Sequence, residues 1–326
     1  MNDHPSDGGK ISLNMTVLRE DSLEIGRGCV HSSNSKPTIG TATMTATAIA
    51  SSDTAIDTGT EELLCEVRDR VAVITLNRPQ ARNSLSDNLT PALRRMIKLC
   101  GEDTNVGAIL ITGAGDAFCA GGDVKGMGGK PGSSNAPELT FDQKVARLQE
   151  RQRTLTGALV NVRKPTIAAL PGPAAGAGLS LALACDLRIA AESAFVTTAY
   201  VKIGLSGDYG MSWLLTRLVG TSRARELMFF GEKIDAKRCE ALGIVNRVVP
   251  DDKLREVAFA MARQLAEGPS TALRFLKDNL DEALMNDFLT SLDHEAERMV
   301  RSAGTADHKE AVKAFVEKRK PVFKRG

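Results

Sequence analysis

The chain has 326 residues, enough for one large domain with a sizeable core or for two modest ones. Apolar residues make up 42% and charged residues 25%, ordinary for a globular protein, and the formal net charge of +2 is too near zero for a nucleic-acid footprint. Aromatic residues are only 4%, which speaks against base-stacking platforms.

Residues 1–60 carry four Lys/Arg and seven Asp/Glu, whereas the remainder is net basic. Between Thr38 and Thr60, Thr, Ala and Ser supply 15 of 23 residues. No amphipathic period of useful length occurs there, so the expectation for 1–60 is a disordered extension, with order beginning at Leu63. A mitochondrial transit peptide is disfavoured because such peptides are poor in acidic residues.

Residues 63–68 and 71–76 read as two short strands around Asp69-Arg70, a hairpin. Asn77-Arg78-Pro79 ends the second. Ser86 is placed to cap a helix carrying Leu89, Leu93, Met96, Ile97 and Cys100, with Pro91 expected to distort its start. The unbroken apolar run Val106–Thr112 predicts a buried strand. A Gly-rich loop follows, then a helix over 141–162 with Val145, Leu148, Leu155 and Leu159 on one side. Thr166–Leu170 is a strand, and Leu179–Ala184 an apolar helix after a second Gly/Ala-rich loop. Leu187–Ala191 is a further strand. From Asp208 onward the chain is helical, with Trp213 expected in the core. Asp235 caps a helix stopped by Gly243, Ile244–Val249 is a last strand, and helices follow over 251–266, 270–283, 285–302 and 307–319. Alternating strands and helices with a helical tail predict an α/β core.

The six cysteines are scattered with no CxxC pair, against a zinc site or a disulfide framework. A reducing, cytoplasmic setting fits them. No apolar run of about 18 residues is present, so no membrane span is expected. Neither a secretory signal nor a peroxisomal C-terminus is read.

Two loops carry the chemistry. The first, GAGDAFCAGGDVKGM from Gly113, follows a strand. The second, PGPAAGAGLSLALACD from Pro171, follows another strand and opens a helix, whose first N–H groups lack internal partners and whose dipole favours negative charge. The second loop spaces its glycines GxxxGxG, not GxGxxG, and neither contains GxxxxGK[ST], so nucleotide-phosphate binding is set aside. Tight strand-to-helix turns without a ligand remain the alternative for either loop alone.

Four segments, LNRPQARNSLS from Leu76, ITGAGDAFCAGGDVKGM from Ile111, KPTIAALPGPAAGAGLSLALACDLRIAA from Lys164 and GLSGDYGMSWLLTRLVG from Gly204, together resemble the enoyl-CoA hydratase/isomerase, or crotonase, family. The C-terminal EAVKAFVEKRKPVFK does too, and the resemblance covers roughly 62–326. It implies an α/β fold of the ClpP/crotonase type: a ββα spiral core over 61–255 and a C-terminal helical trimerisation region over 256–326. It also implies an acyl-CoA substrate, no cofactor beyond the coenzyme A of that substrate, and assembly as a homotrimer or homohexamer without nucleic acid or membrane.

By resemblance, the N–H groups of Gly122 and Ala177 form an oxyanion hole, with Ala120 and Asp123 flanking the first among the substrate-binding residues. Ala81 and Arg82 correspond to the segment that grips pantetheine and phosphates. Lys125 is a candidate for the CoA phosphates, or an ordinary surface lysine. Phe315 and Lys318 match positions that reach a neighbouring subunit's adenine. The family's two hydratase glutamates correspond to Ser180 and Tyr200, neither able to serve as a general base near neutrality. Tyr200 is left to shape the acyl pocket or to pack. Asp208 matches the position of a catalytic aspartate in some isomerases and a dehalogenase; the alternative is a cap for the helix near Met211. A dehalogenase also wants a histidine base, but His4, His31, His294 and His308 lie outside the motifs and read as surface residues. The expected activity is enoyl-CoA isomerisation, with hydration, and acyl-CoA binding without turnover, as alternatives.

Overall fold

The computed structural model describes residues 54–123 and 139–323. Its main sheet has seven strands in the order β1 (Thr54–Ile56), β2 (Leu63–Arg68), β3 (Val71–Leu76), β4 (Ala108–Gly113), β5 (Thr166–Leu170), β7 (Leu187–Ala191) and β10 (Arg247–Val249). A small second sheet joins β6 (Ala174–Ala175), β8 (Phe195–Thr197) and β9 (Ile234–Asp235).

β2 and β3 pair antiparallel from Leu63↔Leu76 to Arg68↔Val71. The turn residues Asp69 and Arg70 both have positive φ, 48° and 65°, the twist a two-residue hairpin turn needs. From β3 through β4, β5 and β7 to β10 every pairing is parallel. Parallel strands are covered on both faces, so they read as continuous apolar runs, and β4 and β5 are buried at every residue. β1 is a correction to the expected start of order: it pairs with β2 through Thr54↔Val67 to Ile56↔Cys65, inside the stretch read as disordered.

Helix α1 (Leu89–Glu102) buries Leu89, Leu93, Met96, Ile97 and Cys100. Ser86 Oγ accepts the Leu89 N–H at 2.9 Å, as the sequence predicts. Pro91, third in the helix, occupies the first turn, where a missing N–H costs no intrahelical bond. Helix α2 (Phe141–Gln152) begins at a capping box formed by Thr140 and Gln143. It continues through a wide π-turn, Arg153–Gly157, into a last helical turn, Ala158–Val160. The expected single apolar face breaks at that turn. Leu155 and Leu159 are fully buried, while Val145 and Leu148 are exposed. A π-turn inserts an extra residue and rotates the two halves relative to each other.

Helix α3 (Ala177–Leu183) is buried throughout. Helix α4 (Met211–Phe230) breaks at Gly220, whose φ is 76°. Trp213 on α4 is not a core residue: it is 45% exposed, with the Arg217 guanidinium stacked over its ring at 3.6 Å. Its indole thus packs against a surface cation. Helix α5 (Ala236–Ala241) is capped by Asp235, which accepts the Arg238 N–H at 2.7 Å.

Helix α6 (Leu254–Ala266) packs on β3, β4, β5 and β7, burying Ala258, Ala262 and Ala266. It therefore belongs with the sheet, past the boundary expected at 255. Helices α7 (Ser270–Ala283), α8 (Phe288–Ala303) and α9 (Ala306–Val316) follow. Lys277 of α7 pairs with Asp186 at 2.8 Å, and Arg163 with Asp278 at 2.7 Å, tying α7 to the core. His294 is half-buried and meets Glu282 at 2.6 Å, rather than standing free in solvent; His308 is exposed. His4 and His31 lie outside the described residues. No helix among the described residues is long and apolar enough to cross a membrane.

Candidate active site

β4 and β5 are neighbouring parallel strands, so the loops leaving their carboxyl ends emerge side by side. Backbone bonds lock the two together. Phe118 and Cys119 N–H groups donate to Pro173 O at 3.0 and 3.2 Å, and Ala175 N–H donates to Cys119 O at 2.9 Å. Phe118 is fully buried and anchors the first loop in the core. Gly121 has φ of 91°, and a Cβ there would sit 2.7 Å from Ala175 O. A Cβ on Gly178 would sit 2.3 Å from Cys119 O. The glycines are therefore what lets the two backbones touch.

The touching loops line a cavity of about 700 Å³ that also takes in α1, α2 and the segment 199–209. Gly122 and Ala177 both face this space. Ala177 is the first residue of α3, with Gly176 O accepting the Ser180 N–H at 3.0 Å, so its own N–H has no partner within the helix. Among the described residues neither the Gly122 nor the Ala177 N–H donates a hydrogen bond. Two free backbone donors facing one cavity suit an oxygen that gains negative charge. Cys119 is an inert neighbour, since complete burial pushes its thiol up to about 12.

Asp208 lies across the same cavity. Its Oδ1 accepts the Tyr200 hydroxyl at 2.7 Å, and Ser180 Oγ lies 3.4 Å from that hydroxyl. Ser180 Oγ also donates to Asp208 O at 3.2 Å. Burial pushes the Asp208 carboxyl above the ordinary carboxylate range, and the Tyr200 hydrogen bond opposes the rise. Burial beside this carboxyl also pushes the Tyr200 phenol up, so it stays a neutral donor. The start of α4 has no side-chain cap; Asp208 contributes only its carbonyl there, to Met211 N–H at 3.2 Å. Its carboxyl is thus turned to Tyr200 rather than to the helix. The backbone holding this cluster is strained: Ala199 and Tyr209 have φ of 61° and 52°.

Comparison with known proteins agrees with this architecture. The family model described as enoyl-CoA hydratase/isomerase matches residues 66–326. The chain belongs to the enoyl-CoA hydratase/isomerase family. It is 36% identical over 263 residues to the 1,2-epoxyphenylacetyl-CoA isomerase of Escherichia coli K12, covering 81% of this chain and 98% of that one. The crystal structure of enoyl-CoA hydratase from Bacillus anthracis matches with TM-score 0.72 at 32% identity, over 84% of this chain and 99% of that one. The enoyl-CoA hydratase of Mycobacterium smegmatis matches with TM-score 0.72 at 30% identity, over 80% and 98% of the two chains. The fold is therefore the α/β crotonase fold expected from the sequence.

Within this family enzyme, Ala120, Gly122, Asp123, Ala177, Tyr200 and Asp208 all line the one cavity. Ala81 and Arg82 do not, but Arg82 O accepts the Ala120 N–H at 2.9 Å, which holds that segment against the first loop. Phe315, 85% exposed, lies on α9 and Lys318 in the turn that follows it; neither is in the cavity lining. Lys125 lies outside the described residues. Sequence reading missed three arginines in the lining, Arg94, Arg147 and Arg151. The i, i+4 spacing of Arg147 and Arg151 around Leu148 is the available signal: one face of α2 pointing at the site.

Proposed function

We propose that the chain is an enoyl-CoA isomerase in which Asp208 moves a proton along the acyl chain of a 3-enoyl-CoA. The Asp208 carboxylate takes a proton from C2. The electron pair delocalises onto the thioester oxygen, held by the N–H groups of Gly122 and Ala177. The same carboxyl returns the proton to C4, leaving the double bond between C2 and C3. The observation that carries this reading is the Asp208 carboxylate, hydrogen-bonded to Tyr200, in the cavity that holds both free N–H groups. One carboxylate suffices for a shuttle, and a raised pKa brings its basicity closer to the α-proton's needs. The isomerase name of the Escherichia coli relative is compatible with it.

The second reading is hydration of 2-enoyl-CoA, favoured by the names of the solved hydratases. Water addition by a carboxylate pair finds Ser180 and Tyr200 where the pair would be needed. The test is one enzyme preparation given 3-hexenoyl-CoA and crotonyl-CoA. Conjugated 2-hexenoyl-CoA should accumulate. Efficient hydration of crotonyl-CoA, without isomerisation, would reverse the order of the two readings. A trimer or hexamer is proposed with it, supported by exposed apolar side chains on α7–α9 such as Leu280, Phe288 and Phe315. Light scattering of the purified chain checks the assembly.

A further inference from the structure

The acyl-CoA cavity carries more positive charge than its own carboxylates answer. Arg94, Arg147, Arg151 and Lys202 line it, against Asp87, Asp123 and Asp208. Two of those carboxylates are already engaged: Asp123 with Arg78 at 3.5 Å, and Asp208 with Tyr200. The third, Asp87, is 3.7 Å from Arg151 and its side chain is 97% exposed, so water screens that pair strongly.

Arg94 is only partly satisfied, through Arg151 O and the Tyr209 phenol. Its Nη2 donates to Arg151 O at 3.2 Å, but its Nε is buried and has no hydrogen-bond partner among the described residues. A buried guanidinium nitrogen left unbonded costs free energy. The guanidinium also acts on the Tyr209 phenol, partly offsetting the rise that burial imposes there. Arg94 thus meets the Tyr209 side chain in the wall of the cavity that Asp208 also lines. Arg147 has no anionic partner among the described residues. Arg94 and Arg151 further line a second depression between α1 and α2, of about 900 Å³, with Arg95, Lys98 and Arg153 on its walls. The cationic surface therefore continues outward from the cavity.

We propose that Arg94, with Arg151 and Arg147, reads a carboxylate or similar oxyanion on the far part of the acyl group. The favoured substrates are then acyl-CoA thioesters bearing a second negative charge. Guanidinium groups match carboxylates bidentately and lose little on partial desolvation, which suits this position better than lysine would. The inference rests on the acyl-CoA reading of the cavity, and it specifies the acyl class. The same oxyanion chemistry could be supplied by the phosphates of coenzyme A, and the test separates the two sources.

The experiment is equilibrium binding of two saturated thioesters of nearly equal shape, adipoyl-CoA and 5-methylhexanoyl-CoA, by calorimetry. The wild-type chain should bind adipoyl-CoA at least about tenfold more tightly, as a charge-assisted pair predicts. In Arg94→Met that ratio should collapse toward one, and Arg94→Lys should keep part of it. Equal affinities in the wild type would overturn the proposal. So would a parallel loss for both thioesters in Arg94→Met with no change of ratio, which assigns the arginines to the phosphates. The wild-type ratio decides the matter even if a variant fails to fold. Neither probe can be isomerised, so the two readings fail separately. Preference for adipoyl-CoA without any isomerase activity would sink the isomerase reading and uphold this one. Isomerisation with equal affinities would do the reverse.

Discussion

The Tyr200 hydroxyl donates to Asp208 Oδ1 at 2.7 Å across seven intervening residues of a tight turn of chain. The bond fixes which carboxyl oxygen stays free for a substrate proton and holds that carboxyl over the cavity. Replacing Asp208 by Asn preserves shape and the acceptor for Tyr200 but removes the base. Isomerisation of 3-hexenoyl-CoA should fall by about 10²–10⁴ in kcat, the usual contribution of a positioned acid–base group. Binding of a saturated acyl-CoA should persist. Unchanged isomerisation in Asp208→Asn would end the mechanism proposed here.

Tyr200 sets the pH response. Burial raises the Asp208 pKa, and the Tyr200 hydrogen bond pulls it back. Tyr200→Phe removes the opposing contribution, so the pKa rises further. Catalysis needs the ionised carboxylate, so activity is lost as pH falls through that pKa. The acid limb of the kcat/KM profile should therefore move to higher pH in Tyr200→Phe, with the plateau above it less affected. A limb that stays put, or moves to lower pH, would show that the phenol does not tune this carboxyl.

Phe118 links the core to the site. It is fully buried, and its N–H holds Pro173 O across the two loops. Phe118→Ala should cost about 3–5 kcal/mol, the range for a large aromatic lost from a core. Phe118→Leu should cost less than half of that. Denaturant titration gives both values. The alanine variant should also lose kcat at temperatures where it remains folded, because the loop carrying Gly122 loses its anchor.

The parts of this structure that can be read from sequence are those with a period or a fixed turn chemistry. The β2–β3 hairpin, the buried runs of β4, β5 and β7, the Asp235 cap and both Gly-rich loops are of this kind. β1 escapes such reading because three residues are too short to show alternation; its pairing with β2 is what orders it. The π-turn at Arg153–Gly157 is invisible to a 3.6-residue pattern and shifts the face on which Val145 and Leu148 fall. Gly122, Ala177 and Asp208 are named by their motifs. Their meeting with Tyr200 and Ser180 depends on a loop with left-handed residues at Ala199 and Tyr209, which propensity disfavours. Arg94 is hidden for another reason: α1 reads as a core helix, and the residue beside its buried stripe carries the charge that faces the cavity.

Two glycines with similar backbone demands separate stability from catalysis. Gly121 and Gly220 both have positive φ, 91° and 76°. A methyl on Gly220 meets nothing within 4 Å, whereas one on Gly121 meets Ala175 O at 2.7 Å and Ala177 N at 3.4 Å. Gly220→Ala should therefore incur only the backbone penalty, about 1–3 kcal/mol, with kcat unchanged in the folded fraction. Gly121→Ala should incur that penalty plus the cost of the clash with Ala175 O, and also push the two loops apart at the point where Gly122 and Ala177 present their N–H groups. A displaced donor pair no longer fits the developing oxyanion, and losing one such donor costs about 10²–10³ in kcat. The prediction is a loss of stability in both variants, larger in Gly121→Ala, and a loss of kcat in Gly121→Ala alone. Equal kcat in both would mean that the contact between the loops does not set the donor geometry, and the N–H pair would have to be sought elsewhere in the cavity wall.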